Sequence, residues 1–318
     1  MILPSLEASG VDFKSGTRIL EAFTLMKPPK RHHYVPQMLL KRFADAEGRI
    51  AFYDKSRPKA GVQMTTPKNL LVQQHLYSKR NRDGSIDGSL EAYYSTLESE
   101  AHVLFDKIIV AVLERSIPII SAVEKNIWDR FLYEQWRRVP DLHDEIMPLS
   151  NFAEQIREGF EEFEAEFNRP VTAEERELFG GTAALKTFRN NVRVTALNQR
   201  SSIVTEAIAN KALFFGRTAP QRSFIIGSSP VMKLVPSNTT NNLDNPAVEI
   251  WLPIHPNVMV VSAGLKGAGT GHLAALHMDR IRGFNESVAK KSTIFAGRSR
   301  ELIASLAQKS ALAAGRTA

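Results

Sequence analysis

The residues best suited to chemistry stand together early in the chain, at Lys30-Arg31-His32-His33-Tyr34-Val35-Pro36-Gln37. Two cations and two imidazoles precede a proline that suits the first position of a helix, where a missing N–H is harmless. A helix start presents unpaired N–H groups and a partial positive charge, so it attracts anions. Histidine in that setting can act as a general acid or base, or ligate a metal, near neutral pH. Neighbouring residues of an extended segment point to opposite sides, so His32 and His33 are not expected to serve one site together. Lys30, Arg31, Tyr34 and Gln37 are the expected ligand contacts around them. The competing reading makes one histidine a buried structural residue and the other a surface one.

Three more constellations qualify. Gln135 and Arg138, in Glu134-Gln135-Trp136-Arg137-Arg138, are three residues apart and share a helix face. Such a pair suits phosphate or carboxylate recognition; the plainer reading is charge complementarity at a helix C-terminus. Glu91 and Glu98 lie two helical turns apart on nearly one face, within reach of Arg138 or His33 once the chain folds, or else as surface charge. The loop Gly264-Leu265-Lys266-Gly267-Ala268-Gly269-Thr270-Gly271-His272 is glycine-rich enough to cradle phosphate, yet it lacks the Gly-Lys-Ser/Thr ending of a P-loop and reads as a flexible loop. The acidic run from Glu161 to Glu166 reads as a solvated helix face. No His-Glu-x-x-His, Gly-x-Ser-x-Gly or EF-hand pattern occurs.

The elements that must position these groups can be read from periodicity. Pro36 opens a short helix with Leu39, Leu40 and Phe43 inward, closed by Gly48. Residues 49–54 and 62–65 read as a hairpin, Leu76-Tyr77 as a further extended piece, and residues 81–84 as a turn. From Ser89 the period becomes helical, with Leu90, Tyr94, Leu97, Ala101, Leu104 and Ile108 on one stripe. Further helices are expected at 122–138, at 151–167 with Phe152, Ile156, Phe160, Phe163 and Phe167 inward, and from a capping box at Thr172. A long one is expected at 192–215. Strands follow at 223–226, 231–234, 248–252 and 258–262, then a helix at 276–288, a strand at 293–295 and a helix from Arg300. Grouped strands and helices, rather than strict alternation, indicate an α+β fold: a helical middle packed on an antiparallel sheet formed from N-terminal and C-terminal strands. Residues 1–29 read as a poorly ordered lead-in, 30–310 as one domain with its helical middle at 88–216 and C-terminal strands at 220–296, and 311–318 as a tail.

Composition narrows the chemistry. The 318 residues include no cysteine, which removes disulfides, Cys-ligated zinc, iron–sulfur clusters and a thiol nucleophile. No apolar run is long enough to span a membrane, and the first residues lack the pattern of a secretory signal, so a cytoplasmic protein without membrane association is expected. The net charge of +7 is uneven, with +9 in residues 1–82, −8 in 83–264 and +6 in 265–318. Basic ends around an acidic centre suit a polyanion such as nucleic acid, or another phosphorylated ligand, if the ends meet in space.

The segment His32-His33-Tyr34-Val35-Pro36-Gln37, followed by Leu39-Leu40-Lys41-Arg42-Phe43, resembles the opening motif of a bacterial family catalogued as Domain of Unknown Function 4238. The resemblance continues through Tyr53-Asp54-Lys55, Thr66-Pro67-Lys68-Asn69, Leu76-Tyr77, Glu91, Glu98 and residues 135–140 (QWRRVP) to Phe284-Asn285, covering roughly 31–300. It implies a shared fold and no particular activity. One departure stands out: where the family shows Ser-Asp-x-Pro, this chain has Gly227-Ser228-Ser229-Pro230. If the family's Asp is a metal ligand or catalytic carboxylate, Ser228 cannot replace its charge; if it caps a turn, serine serves as well.

Two functions are in contention. The first is a phosphate-directed hydrolase, a nuclease or phosphodiesterase, with His32 or His33 as base or ligand, Arg138 on the phosphate, and Glu98 and Gln135 in support; a divalent metal is compatible with it. Ser228 and Asn285 join the ligand contacts through the family pattern. The second is a non-catalytic protein that binds nucleic acid or a phosphorylated ligand, as in a defence or toxin-type system.

Overall fold

A computed structural model describes residues 30–81, 83–265 and 272–314. The chain runs β1 (Arg31–His33), α1 (Gln37–Arg42), β2 (Ile50–Asp54), β3 (Gln63–Thr65), β4 (Val72–Gln74), β5 (Lys79–Arg80) and β6 (Ile86–Asp87). Helices α2 (Ser89–Leu113), α3 (Ala122–Arg137), α4 (Pro140–Ile146), α5 (Leu149–Phe167), α6 (Ala173–Gly180), α7 (Thr182–Asn198) and α8 (Ser202–Ala209) follow. The last part holds β7 (Ala212–Arg217), β8 (Ile226–Gly227), β9 (Met232–Leu234), β10 (Glu249–His255), β11 (Val258–Ala263), β12 (His272–Ala275), α9 (Met278–Lys291), β13 (Ile294–Gly297) and α10 (Arg300–Ala314).

The architecture is α+β. One sheet, in the order β3-β2-β13-β8, joins N-terminal to C-terminal strands and is antiparallel throughout. A second, β12-β7-β11-β10-β9, consists of C-terminal strands and is antiparallel except where β12 runs parallel to β7. All six residues of β11 are buried, as expected for a central strand covered on both faces. Helices α2 and α3 supply much of that cover. The six α2 stripe residues are all buried, and Trp128 of α3 donates its indole N–H to Ser262 Oγ of β11 at 3.0 Å. Buried apolar residues from Tyr34 to Ala307 form one continuous cluster.

Five local expectations change. Pro36 is extended (φ −51°, ψ 136°) and stands just before α1 rather than inside it. Leu76-Tyr77 is a turn; the extended piece is β4, just upstream, which pairs with β1 in the register His33↔Val72. The helix expected at 192–215 divides into α7, α8 and β7. Ser201 caps α8 by accepting the Val204 N–H, α8 stops at Asn210, and Ala212–Arg217 pairs along its whole length with β11. The glycine-rich loop leads into β12, not directly into a helix, and its residues 266–271 lie outside the described ones, as do 1–29 and 315–318. The aromatic stripe of α5 sends only Phe152 into full burial. Ile156, Phe160 and Phe163 border an apolar cavity with Phe179 of α6 and Phe188 of α7, and Phe167 is exposed. The Thr172 capping box is present, with Glu175 closing it.

Candidate functional site

The motifs meet around Gln135, near the end of α3. Arg138, its C-cap, is 2% exposed. The guanidinium donates from Nε and Nη2 to Gln135 Oε1, at 3.1 and 2.7 Å. Its Nη1 donates to Glu98 Oε1 at 2.8 Å, and its plane lies 4.8 Å from the Tyr94 ring centre. Gln135 in turn donates Nε2 to the carbonyl of Tyr34 at 2.9 Å, tying α3 to the His-His-Tyr-Val-Pro segment. Each bond is local chemistry, but the participants come from three distant stretches. The i, i+3 spacing of Gln135 and Arg138 and the seven-residue spacing of Glu91 and Glu98 present each pair on a single helix face.

The two histidines separate as their alternation requires. His32 is buried and stacks on Tyr77, with ring centres 5.5 Å apart. Its Nδ1 accepts the Tyr77 amide N–H at 2.8 Å. A nitrogen that accepts carries no proton, so this ring is neutral. The Glu91 carboxylate, 3.8 Å from the same nitrogen, is therefore a polar neighbour rather than an ion-pair partner. His33 is half-buried, and its Nε2 donates to the carbonyl of Pro67 at 3.2 Å. That fixes the tautomer and leaves the Nδ1 lone pair available. Burial lowers the His33 pKa below its usual value, against an upward pull from Glu98.

The two glutamates of α2 differ. Glu98 is held by Arg138. Glu91 has no such partner, and burial together with the charge of Glu98 raises its pKa to about 7. A neutral imidazole and a carboxyl that shares its proton near neutrality thus both feel the charge of Glu98. Among the described residues no group of three or more His, Asp or Glu side chains could hold a metal ion.

A second polar cluster lies on the other side of Gln135. Ser228 is buried, and its hydroxyl donates to Asp141 Oδ2; Ser229 Oγ is 3.5 Å from the same oxygen, and Thr293 N–H donates to it at 2.9 Å. Burial, with the charges of Asp141, Asp54 and Asp144, raises the Tyr34 hydroxyl pKa. Gln135, Asp141, Ser229, Lys290 and Lys291 border a cavity of about 330 Å³. Position 228 carries no carboxylate, but Asp141 brings one to the same spot from the first turn of α4. Sequence reasoning missed Asp141, although it directly follows the QWRRVP stretch; only the fold reveals that Ser228, 87 residues on, comes to meet it.

The remaining candidates disperse. Lys30 and Arg31 are exposed at the head of β1, where Arg31 donates to Lys68 O and Asn69 Oδ1. Gln37 is half-buried in the first turn of α1. Asn285 is a buried clamp: Oδ1 accepts the Ile225 N–H at 3.1 Å and Nδ2 donates to Ser223 O at 3.0 Å. It fixes the approach to β8.

No helix among the described residues is long and apolar enough to cross a membrane. No curated protein and no solved structure matches the chain. Residues 31–295, from the first histidine strand to β13, match the family described as "Protein of unknown function (DUF4238)", and the chain belongs to that family.

Proposed function

We propose that the cluster on α2 and β1 cleaves a phosphodiester by acid–base catalysis and that the substrate is RNA. RNA carries its own nucleophile, the 2′-hydroxyl, so two proton-transfer groups suffice. His33 Nδ1 takes the 2′-hydroxyl proton as that oxygen bonds to phosphorus. Glu91 gives its proton to the departing 5′-oxygen, and the products are a 2′,3′-cyclic phosphate end and a free 5′-hydroxyl. The proton then passes from His33 back to Glu91 through solvent. Glu98, held by Arg138, which Gln135 anchors in turn, is a positioning residue whose charge adds to burial in raising the Glu91 pKa. Lys30 and Arg31 attract the backbone, within the region of highest positive charge.

The observation that carries this reading is the split between two titratable groups, both in the field of Glu98, which Arg138 holds at 2.8 Å. Burial pushes His33 down and Glu91 up to about 7, which at neutral pH leaves one fit to accept a proton and the other to give one.

The test incubates the full chain with labelled RNA and DNA strands, with Mg²⁺ or Mn²⁺ and with chelator. RNA is cut to cyclic-phosphate ends in chelator while DNA stays intact. His33→Ala and Glu91→Gln each slow cutting by about 100-fold or more with the fold retained by circular dichroism. A folded wild type that leaves RNA intact sinks the reading. RNA retention at low salt without turnover would favour the binding protein instead.

A further inference from the structure

A separate cavity of about 240 Å³ opens between the β4–β5 connection and α7. Its wall includes Gln73, Ser78, Arg80, Lys186, Thr187 and Asn190, and no Asp or Glu. The hairpin side is fixed to α7 by paired bonds: Arg80 N–H donates to Asn191 Oδ1 at 2.9 Å, and Asn191 Nδ2 donates to Arg80 O at 2.8 Å. Asn190 Nδ2 donates to Ser78 O at 2.9 Å and His75 O at 3.2 Å.

Two buried groups here are left unsatisfied. Ser78, 4% exposed, lines the cavity and its hydroxyl has no hydrogen-bond partner. Arg193, 7% exposed, stands behind Asn190, donating Nη2 to Asn190 Oδ1 at 2.5 Å and to Leu76 O at 2.6 Å, while its Nε has no partner. Asp144, the carboxylate whose charge acts on Arg193, is ion-paired to Arg189. A buried cation without a carboxylate beside it and a buried hydroxyl without a partner are each unfavourable unless something else completes them. Ser78 lines the cavity, Arg193 lies behind its Asn190 wall, and the charged lining residues, Arg80 and Lys186, are cationic.

We propose that this cavity binds a small phosphate monoester, its phosphoryl group accepting from the Ser78 hydroxyl between Arg80 and Lys186. A phosphoryl group suits such a seat because it takes several donors at once and brings the missing negative charge. Gln73, Thr187 and Asn190 then face the carrier. None of the cavity's lining residues belongs to the acid–base cluster, so the inference stands apart from the proposed reaction.

The test is calorimetric titration of the full chain with a nucleoside 5′-monophosphate, and with the same nucleoside lacking the phosphate. The monophosphate binds saturably and the nucleoside does not. Lys186→Ala and Arg80→Ala each weaken binding about tenfold, and Ser78→Ala about fivefold or more. Ser78→Ala leaves the melting temperature of the unliganded protein unchanged or higher, because it removes an unsatisfied hydroxyl. Absence of saturable binding overturns the proposal. So does binding that Lys186→Ala abolishes but Ser78→Ala leaves intact, since the anion would then sit at the surface rather than in the cavity. A mononucleotide has no internucleotide bond to cut, so neither result depends on the ribonuclease reading.

Discussion

Near its end helix α3 carries two ion pairs one turn apart, built in opposite senses. In one the cation is buried and the anion reaches solvent: Arg138 is 2% exposed and Glu98 25%. In the other the anion is buried and the cation reaches solvent: Glu134 is 1% exposed and Arg200 45%. Each guanidinium lies over a tyrosine, Arg138 on Tyr94 at 4.8 Å and Arg200 on Tyr93 at 4.4 Å. The surroundings differ. Arg138 has Gln135 as a second anchor. Glu134 has only the hydroxyls of Tyr93 and Tyr94, each at 3.5 Å, and borders a cavity of about 410 Å³. A guanidinium cannot shed its charge, so the buried cation needs a permanent cage. A carboxylate can take a proton, so the buried anion tolerates a looser one.

The largest effect is expected where the cage is tightest. Arg138→Ala removes the partner of Glu98, leaves Gln135 Oε1 without its donors and opens a void, lowering stability by about 3–5 kcal/mol. Arg138→Lys recovers only part of this, because a single ammonium cannot bond Gln135 twice and reach Glu98 as well. Urea titration measures both. Near-normal stability for the lysine variant would mean that the fork geometry is not what holds α3 to Tyr34.

The next effect tests whether a lone carboxylate is also the limit across Gln135. Asp141 already accepts from Ser228, Ser229 and Thr293. Ser228→Asp sets two carboxylates against each other in a buried position. Stability falls by about 2–4 kcal/mol at neutral pH, and much of the loss returns in the double variant Ser228→Asp with Asp141→Asn. A stable single variant would indicate that the site takes up a cation when both carboxylates are present.

Which of these features the sequence reveals follows from how local each one is. The α2 stripe and the β2–β3 hairpin depend on period, and both stand in the structure. The 192–215 stretch misleads because its apolar residues satisfy a helical period throughout. Its last four become strand only because β11, over 40 residues later, needs a neighbour. Pairing of β1 with β4 joins three-residue strands about 40 residues apart. It is bracketed by Leu71 and His75 in the left-handed region (φ 52° and 53°), conformations that no pattern assigns to these residue types. Glu134 looks like surface charge beside Gln135; its burial depends on Arg200 and two tyrosines from elsewhere.

A smaller effect separates the two ion pairs by what each truncation strands. Arg200→Ala leaves Glu134 buried beside two long hydroxyl contacts, a loss of about 1–3 kcal/mol at neutral pH. Removing the stranded charge as well, in Arg200→Ala with Glu134→Gln, returns much of it. Glu98→Ala strands Arg138 instead, a charge that cannot be shed in place. Urea titration of the three variants distinguishes them, and a double variant no more stable than Arg200→Ala would erase the contrast between a buried anion and a buried cation.

The smallest effect has the opposite sign. Glu91 shares the α2 face with Glu98 but lacks an arginine, and its pKa stands at about 7 against an ordinary 4.5. A carboxyl raised on folding favours the native state while protonated. Its contribution is fully present below about pH 4.5 and is lost as pH rises through about 7. Above that pH the wild type carries an unfavourable charge at this position. Glu91→Gln keeps the shape and removes the titration, so it stabilises by about 1–2 kcal/mol at pH near 8 and makes little difference near pH 4. The same variant is the one expected to lose RNA cutting, so a gain in stability with a loss of turnover would mark Glu91 as a group kept for chemistry at the fold's expense. Equal stability of the two proteins across the range would show that Glu91 is solvated like any surface carboxylate, and that the asymmetry between the two glutamates of α2 has no chemical consequence.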